Sequence, residues 1–352
     1  MENLSGDKAE FGTADLCQRL RDEILRVLAP LIAPHAGRLL LVDPADYGNV
    51  GDHAIHLGQF AYLDRAFPTA RLNVLAEANV KAGALRAVDQ ADLVLFQGGG
   101  NFGDLYPRHH AVRLAVMRQK PEVPKLHFPQ SIFFQEERVL EETRRVIAQQ
   151  SNFTLLVRDK INFEFAQSKF DCEIRLCPDM AFALTLPQFA EPDLDYSCLL
   201  RTDKEMRIDK NEALTNLLQG LAAQSSFFDW VKPESTRLRR RLHRSLRLWN
   251  QQPWTYRFTE AWVYQTWRAY AQERLEYGLR RLARGRTVIT DRLHGHILAT
   301  LLNRPQYVFD SMDGKVAAFF KCWTKESGSI VLVQSVEELR DLLSSSATPS
   351  GS

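Results

Sequence analysis

Residues 286–310, RTVITDRLHGHILATLLNRPQYVFD, decide the fold class. Val288 and Ile289 begin a buried strand. Asp291, Arg292 and His294 stand at the turn beyond it. Ile297, Leu298, Leu301 and Leu302 then recur at helical spacing, and after Asn303-Arg304-Pro305 a second apolar run, Tyr307 to Phe309, reads as another strand. A strand–turn–helix–strand unit of this kind belongs to a parallel α/β sheet. In such sheets ligands bind beyond the carboxyl ends of the strands. A helix beginning there offers free N–H groups and the positive end of its dipole to an anion. Arg292 and His294 at that point suit an anionic ligand and a proton. The blander reading makes Asp291 a helix cap and its neighbours surface polarity.

The same pattern repeats towards the N-terminus. Leu39–Val42 is a continuous apolar run, as for a strand covered on both faces, and it leads into Asp43 and the stretch GNVGDHAI. There Gly48 and Gly51 predict a tight loop, a helix runs from Ala54 to Ala66, and Asn49 and Asp52 lie where a ligand would meet the sheet. Asp92–Phe96 runs into Gln97, Gly98, Gly99, Gly100, Asn101 and, after Phe102-Gly103, Asp104. Three glycines after a strand predict a loop whose backbone comes close to a ligand and offers its N–H groups to anionic oxygens. Neither the dinucleotide nor the P-loop fingerprint is met. Lys125–Phe128, which contains His127, ends at Pro129-Gln130-Ser131; Phe153–Val157 ends at Arg158-Asp159; Glu173–Leu176 ends at Cys177-Pro178-Asp179. Polar residues past several strand ends converge on one sheet edge, the expected place for a site.

Bulk properties narrow the class. The 352 residues are 45% hydrophobic and 25% charged with a net charge of +2, the balance of a globular protein of two domains. No global charge points to nucleic acid. Five cysteines without CxxC spacing fit a reducing compartment, no stretch has transmembrane length, and the N-terminus lacks the features of a signal peptide, so a cytoplasmic protein is expected. No metal constellation is present. The linker Pro187–Pro192 suggests domains at 1–190 and 191–345, the second carrying an insertion at 233–277, with a disordered tail at 346–352. The insertion contains Trp249, Trp254, Trp262 and Trp267. It also has a helical stripe of Leu238, Leu242, Leu246 and Trp249 flanked by arginines. It suits an anionic membrane surface, met through 237–249, or an acidic glycan; it also suits a solvated basic face over an aromatic cluster.

The motifs GNVGDHAI (48–55), QGGGNFGD (97–104), HFPQS (127–131), VRD (157–159), CPDMAFAL (177–184) and DRLHG (291–295) occur in this order. As an ordered set they resemble the polysaccharide pyruvyl transferase family. The resemblance implies an α/β protein of two Rossmann-like domains facing across a cleft, of the GT-B type. It implies transfer of the enolpyruvyl group of phosphoenolpyruvate to a sugar of an exopolysaccharide repeat unit, closing a cyclic pyruvate ketal. The acceptor is often lipid-linked, which places such an enzyme at the inner face of the plasma membrane. By the same resemblance Arg292 binds the donor, His294 is the catalytic histidine, and His127 is a second active-site histidine. Arg158, Gly98, Gly99, Gly100 and Asn101 add donor contacts. Asn49, Asp52, Asp104 and Trp254 are assigned to the acceptor side. No metal and no cofactor other than phosphoenolpyruvate as co-substrate is expected. Two rivals remain at this stage: a glycosyltransferase using a nucleotide sugar, for which no nucleotide signature is seen, and a non-catalytic glycan-binding or assembly protein.

Overall fold

The computed structural model describes residues 12–81, 85–202, 210–230, 236–252, 256–311 and 314–346. The chain divides into two compact units. The first comprises 21–187 and 229–281; the second comprises 1–20, 188–228 and 282–352. Both are Rossmann-like.

The first unit is built on a sheet of β1 (Arg38–Val42), β2 (Arg71–Leu75), β3 (Leu93–Phe96), β4 (Gly99–Gly103), β5 (Lys125–Phe133), β6 (Phe153–Val157) and β7 (Glu173–Leu176). The order is β2-β1-β3-β5-β6-β7, every pairing is parallel, and β4 also pairs with β5. Helices Val50–Ala66, Pro107–Gln119, Glu137–Ala148 and Lys160–Lys169 make crossovers. Covering both faces is why Leu39–Val42 and Leu93–Phe96 are apolar at every position. The strand order reverses between β1 and β3, so the chain leaves these two strands in opposite directions and opens a crevice at their carboxyl ends.

Two of the three glycines, Gly99 and Gly100, are strand and not loop. Phe96 pairs with His127 and Gly99 with Gln130, so β3 and β4 follow β5 in one register until a shift between Gly99 and Phe102. At Gly99 and Gly100 a strand beside β5 therefore stands where a loop was expected. Glycine is needed for a different reason. Gly103 has φ +117°, and a Cβ there would lie 1.8 Å from the Phe133 carbonyl oxygen.

The Trp/Arg-rich segment groups with the first unit and not, as expected, with the second domain. Its helices Arg237–Gln251 and Tyr256–Leu282 bury Leu242, Leu246, Trp249, Val263, Trp267 and Tyr270 against Val74 and Ala76 at the end of β2. They also brace the loop after β1. Trp267 Nε1 donates to the Ala45 carbonyl at 2.7 Å, Tyr270 to that of Tyr47 at 3.3 Å, and Arg274 to that of Gly48 at 2.9 Å.

The second unit contains β8 (Leu194–Leu199), β9 (Ser225–Phe228), β10 (Gly285–Thr290), β11 (Gln306–Phe309) and β12 (Ile330–Val333), in the order β12-β11-β10-β8-β9, all parallel. Its core gathers Cys198, Leu214, Leu218, Ile289, Phe309 and Leu339. Here the order reverses between β8 and β10. The final helix runs Val336–Ser346; the rest of the tail expected to be disordered lies outside the described residues. No described helix is long and apolar enough to cross a membrane.

Trp267 is fully buried. Trp267→Ala is expected to destabilise the protein by about 3–5 kcal/mol, because a large aromatic leaves a cavity that the braced loop cannot fill. Urea unfolding checks this; an unchanged midpoint would remove Trp267 from the groups that hold the loop.

Candidate functional site

In the first unit the polar groups at the carboxyl strand ends are organised by Arg113, a side chain with no exposure on the helix Pro107–Gln119. A guanidinium has five N–H donors, and a buried one must place them all. Arg113 does so. Nε donates to His127 Nε2 at 2.9 Å. Nη1 donates to Asp43 Oδ2 at 2.8 Å and to the His109 carbonyl at 2.8 Å. Nη2 donates to the Gln97 carbonyl at 3.2 Å and to Asn101 Oδ1 at 2.7 Å. Gln130 Nε2 reinforces the last two acceptors at 3.1 and 2.8 Å.

This arrangement revises the role expected of His127. Its Nε2 accepts from Arg113, so Nδ1 carries the proton and donates to the Phe128 carbonyl at 3.0 Å. Burial and then the Arg113 charge hold it well below the ordinary histidine range. A neutral imidazole with both nitrogens engaged inside the protein positions the network and does not exchange protons with a substrate. Asn101 belongs to the same network through its carbonyl oxygen.

A histidine not singled out from sequence is better placed. His109 Nδ1 lies 2.9 Å from Asp43 Oδ2, while its side chain keeps 20% exposure. Its Nε2 bonds no described residue. Burial lowers its basicity, but the hydrogen bond and charge of Asp43 outweigh that and raise it above the ordinary value. The rings of Tyr47 and Tyr106 flank it at 5.7 and 6.5 Å. Asp43 holds φ +61°, a strained backbone for a residue with a side chain, enforced by its two partners. The sequence signal that could have found His109 is its i, i+4 spacing with Arg113 on one helical face.

Asn49 and Asp52 flank the same crevice. The helix starts at Val50, earlier than expected. Asn49 caps it, accepting from Gly51 N at 3.1 Å, and Asn49 Nδ2 donates to Asp52 Oδ2 at 2.7 Å. A Cβ at Gly99 would sit 3.5 Å from Asp52 Oδ1, and one at Gly100 3.5 Å from Arg158 Nη2, so Asp52 and Arg158 lie close beside this glycine strand. Arg158 is paired internally, Nη1 to Asp179 Oδ2 at 2.7 Å and Nε to Ser131 Oγ at 3.0 Å. Asp104 stands apart: its carboxylate accepts from the backbone N–H groups of Gln135 (3.0 and 2.8 Å) and Glu136 (2.7 Å), which ties down the loop before the next helix. That occupation does not suit the acceptor contact expected of it. Trp254 lies outside the described residues.

The second unit carries its own polar set at the β8 and β10 ends. Arg292, not Asp291, takes the N-cap position of the helix Leu293–Leu301, and its N–H donates to Thr290 Oγ1 at 3.1 Å. Gly295 allows that helix to sit on β10, since a Cβ there would lie 2.3 Å from Thr290 Oγ1. Asp291 instead accepts from the Arg201 N–H at 2.8 Å and stands 3.4 Å from Lys210 Nζ. Arg201, Lys210 and Arg292 are all buried, and half-buried His294 occupies the first turn of the helix. Arg201 stands two residues past the end of β8, so the strand-end pattern applied elsewhere would have found it; Lys210 carries no comparable signal. His296, one turn position further, is structural: its ring nitrogens meet Gln306 Oε1 at 2.8 Å and Thr324 Oγ1 at 2.9 Å.

A family profile described as polysaccharide pyruvyl transferase matches residues 49–313. Pyruvyl transferase 1 of Schizosaccharomyces pombe is 30% identical over 328 residues, covering 87% of this chain and 75% of that protein. EpsO of Bacillus subtilis is 30% identical over 321 residues, covering 88% of this chain and 93% of its own. The solved structure of an uncharacterised protein of Klebsiella pneumoniae shares the fold, with a TM-score of 0.58 and 16% identity over 89% of this chain and 99% of that one.

Burial pushes His296 down to about 4 from an ordinary value of 6.5. Between those values the unfolded chain binds a proton that the folded protein refuses. The stability His296 contributes is therefore present above about pH 6.5 and is lost as pH falls towards about 4. The stability difference between wild type and His296→Gln should narrow on acidification by up to about 1.4 kcal/mol per pH unit across that window. Urea unfolding over a pH series measures it; a constant difference would show that His296 is not held neutral.

Proposed function

The chain belongs to the polysaccharide pyruvyl transferase family, and from that premise we propose that it transfers the enolpyruvyl group of phosphoenolpyruvate to a sugar and closes it to a cyclic pyruvate ketal. The observation that carries the donor assignment is that buried Arg292 takes the N-cap position of the helix that bears His294, while the backbone N–H of buried Arg201 and the Nζ of buried Lys210 meet Asp291 beside it. Phosphoenolpyruvate presents a phosphate and a carboxylate. Arginine meets such groups as a planar fork, lysine meets them as a point charge, and the helix N-terminus adds its dipole.

The chemistry moves a proton onto carbon and protons off two hydroxyls, and histidine suits such transfers. The methylene carbon of the donor takes a proton, which we assign to His294. The hydroxyl oxygen of the sugar then bonds the neighbouring carbon, and its proton leaves to a base. Within the first unit the His109–Asp43 pair has the construction of a general base for a hydroxyl: Asp43 fixes the imidazole with Nδ1 towards itself, stabilises an imidazolium, and leaves Nε2 facing outward. The carbon–oxygen bond to phosphate then breaks, phosphate leaving with the electron pair; a second hydroxyl attacks the same carbon and its proton passes to the departing phosphate, which completes the ketal. No cofactor is required by this sequence. The crevice beside β1, with Tyr47 and Tyr106 near His109, is our assignment for the sugar; the acceptor belongs to an exopolysaccharide repeat unit in this reading.

Calorimetric titration with phosphoenolpyruvate, with nucleotide sugars run in parallel, tests the donor. Saturable binding lost in Arg292→Ala is expected. Heat only with a nucleotide sugar would reassign the protein to glycosyl transfer. With phosphate release from phosphoenolpyruvate followed over a panel of simple glycosides, His294→Ala is expected to lose ~10²–10⁴-fold in turnover while still binding the donor. His109→Ala should lose a similar factor, partly restored by added imidazole. Full turnover in either variant would remove that histidine from the mechanism.

A further inference from the structure

The helix Arg237–Gln251 has two faces with separate jobs. Leu242, Leu246 and Trp249 are turned into the first unit. The opposite face presents Arg237, Arg240, Arg241, Arg244 and Arg247, all exposed. Between Thr236 and Gln252 the sequence has six arginines and no acidic residue. Several exposed arginines on other helices have ion-pair partners, Arg26 with Glu23, Arg118 with Glu142, Arg144 with Glu141 and Arg280 with Glu276. Arg237, Arg241, Arg244 and Arg247 have no acidic partner among the described residues. Four like charges on one rigid face repel one another, and that cost is relieved when an anionic surface covers them.

We propose that this arginine face, with Leu248 and Trp262, docks the protein on an anionic lipid surface. Arg237, Arg241, Arg244 and Leu248 follow one another at spacings of four, three and four residues, so an exposed leucine lies within the arginine row. Trp262, 46% exposed on the neighbouring helix, has the Arg241 guanidinium 5.5 Å from its ring. Guanidinium forks match lipid phosphates, and tryptophan favours the membrane–water interface. A leucine has an acyl chain to meet at that boundary, whereas a soluble acidic polymer offers it nothing. The buried stripe keeps the helix folded before contact, so docking adds no ordering cost for this segment. The contact is peripheral and rests on charge with shallow apolar insertion, and it does not depend on the catalytic reading.

Co-sedimentation of the full chain with vesicles tests it, using phosphatidylcholine alone and phosphatidylcholine mixed with phosphatidylglycerol. Binding is expected only to the mixed vesicles and should weaken as salt rises. Each neutralised arginine should weaken it roughly five-fold, so the triple variant R237Q/R241Q/R244Q should lose about a hundred-fold. Its thermal unfolding should match wild type, since these side chains face solvent. Leu248→Ser with Trp262→Ser should weaken the binding that persists at high salt. Equal binding to neutral vesicles, or undiminished binding by the triple variant, would overturn the proposal. So would binding to soluble alginate with none to either vesicle, which would make the face a glycan contact.

Discussion

One buried guanidinium constrains the first unit more than any other group. Removing Arg113 from water is tolerable only because a carboxylate neutralises it and four further acceptors meet its remaining hydrogens. Those acceptors come from the ends of β1, β3, β4 and β5 and from the turn of its own helix. Their positions are therefore coupled: moving any one strand end leaves a buried donor unmatched, which typically costs about 1–3 kcal/mol. The consequence for the crevice is a rigid floor. His127, Asn101 and Gln130 are absorbed into it, and Asp43 is held in the strained conformation that aims its second interaction at His109.

The loop that forms the wall of the crevice is held in a second way. Residues Ala45, Tyr47 and Gly48 offer backbone carbonyls, and the long helix Tyr256–Leu282 supplies the donors Trp267, Tyr270 and Arg274. Gly278 allows the approach, since a Cβ there would lie 2.5 Å from Val50 Cγ1. A segment whose tryptophans suggested sugar stacking or a membrane thus has a structural half and an outward half. The same helices that brace the loop after β1 expose the arginine row on their far side.

The second unit solves a different electrostatic problem. Asp291 is buried at the end of β10 and is satisfied by a backbone N–H and a lysine, with two arginines also buried at these strand ends. Arginine and lysine side chains brought out of water at the head of a helix suit a bound anion. Together with an imidazole on the first helical turn, this makes the RLH turn a donor site in our reading and not a plain helix start.

Much of this was legible locally. Parallel strands covered on both faces are apolar at every position, so Leu39–Val42, Leu93–Phe96 and Val288–Ile289 announce themselves, and the polar residues after them mark a sheet edge. The ordered motifs sufficed for the family, and the Rossmann-like class followed from the alternation. What sequence could not decide was partnership across the chain. Glycine is as free in a strand as in a loop, so only pairing with β5 made Gly99–Gly103 a strand. His127 lies on a strand and His109 on a helix, and neither setting reveals the partner of its ring. One became an inert acceptor because Arg113 aims its Nε at it; the other became a poised base because Asp43 meets its Nδ1. Likewise 229–281 joined the first unit because Leu242, Trp249 and Trp267 found their apolar surface beside β2. Periodicity along a chain reports which faces are buried; which charges and rings meet there is set by packing between residues far apart in sequence, and only the tertiary structure decides it.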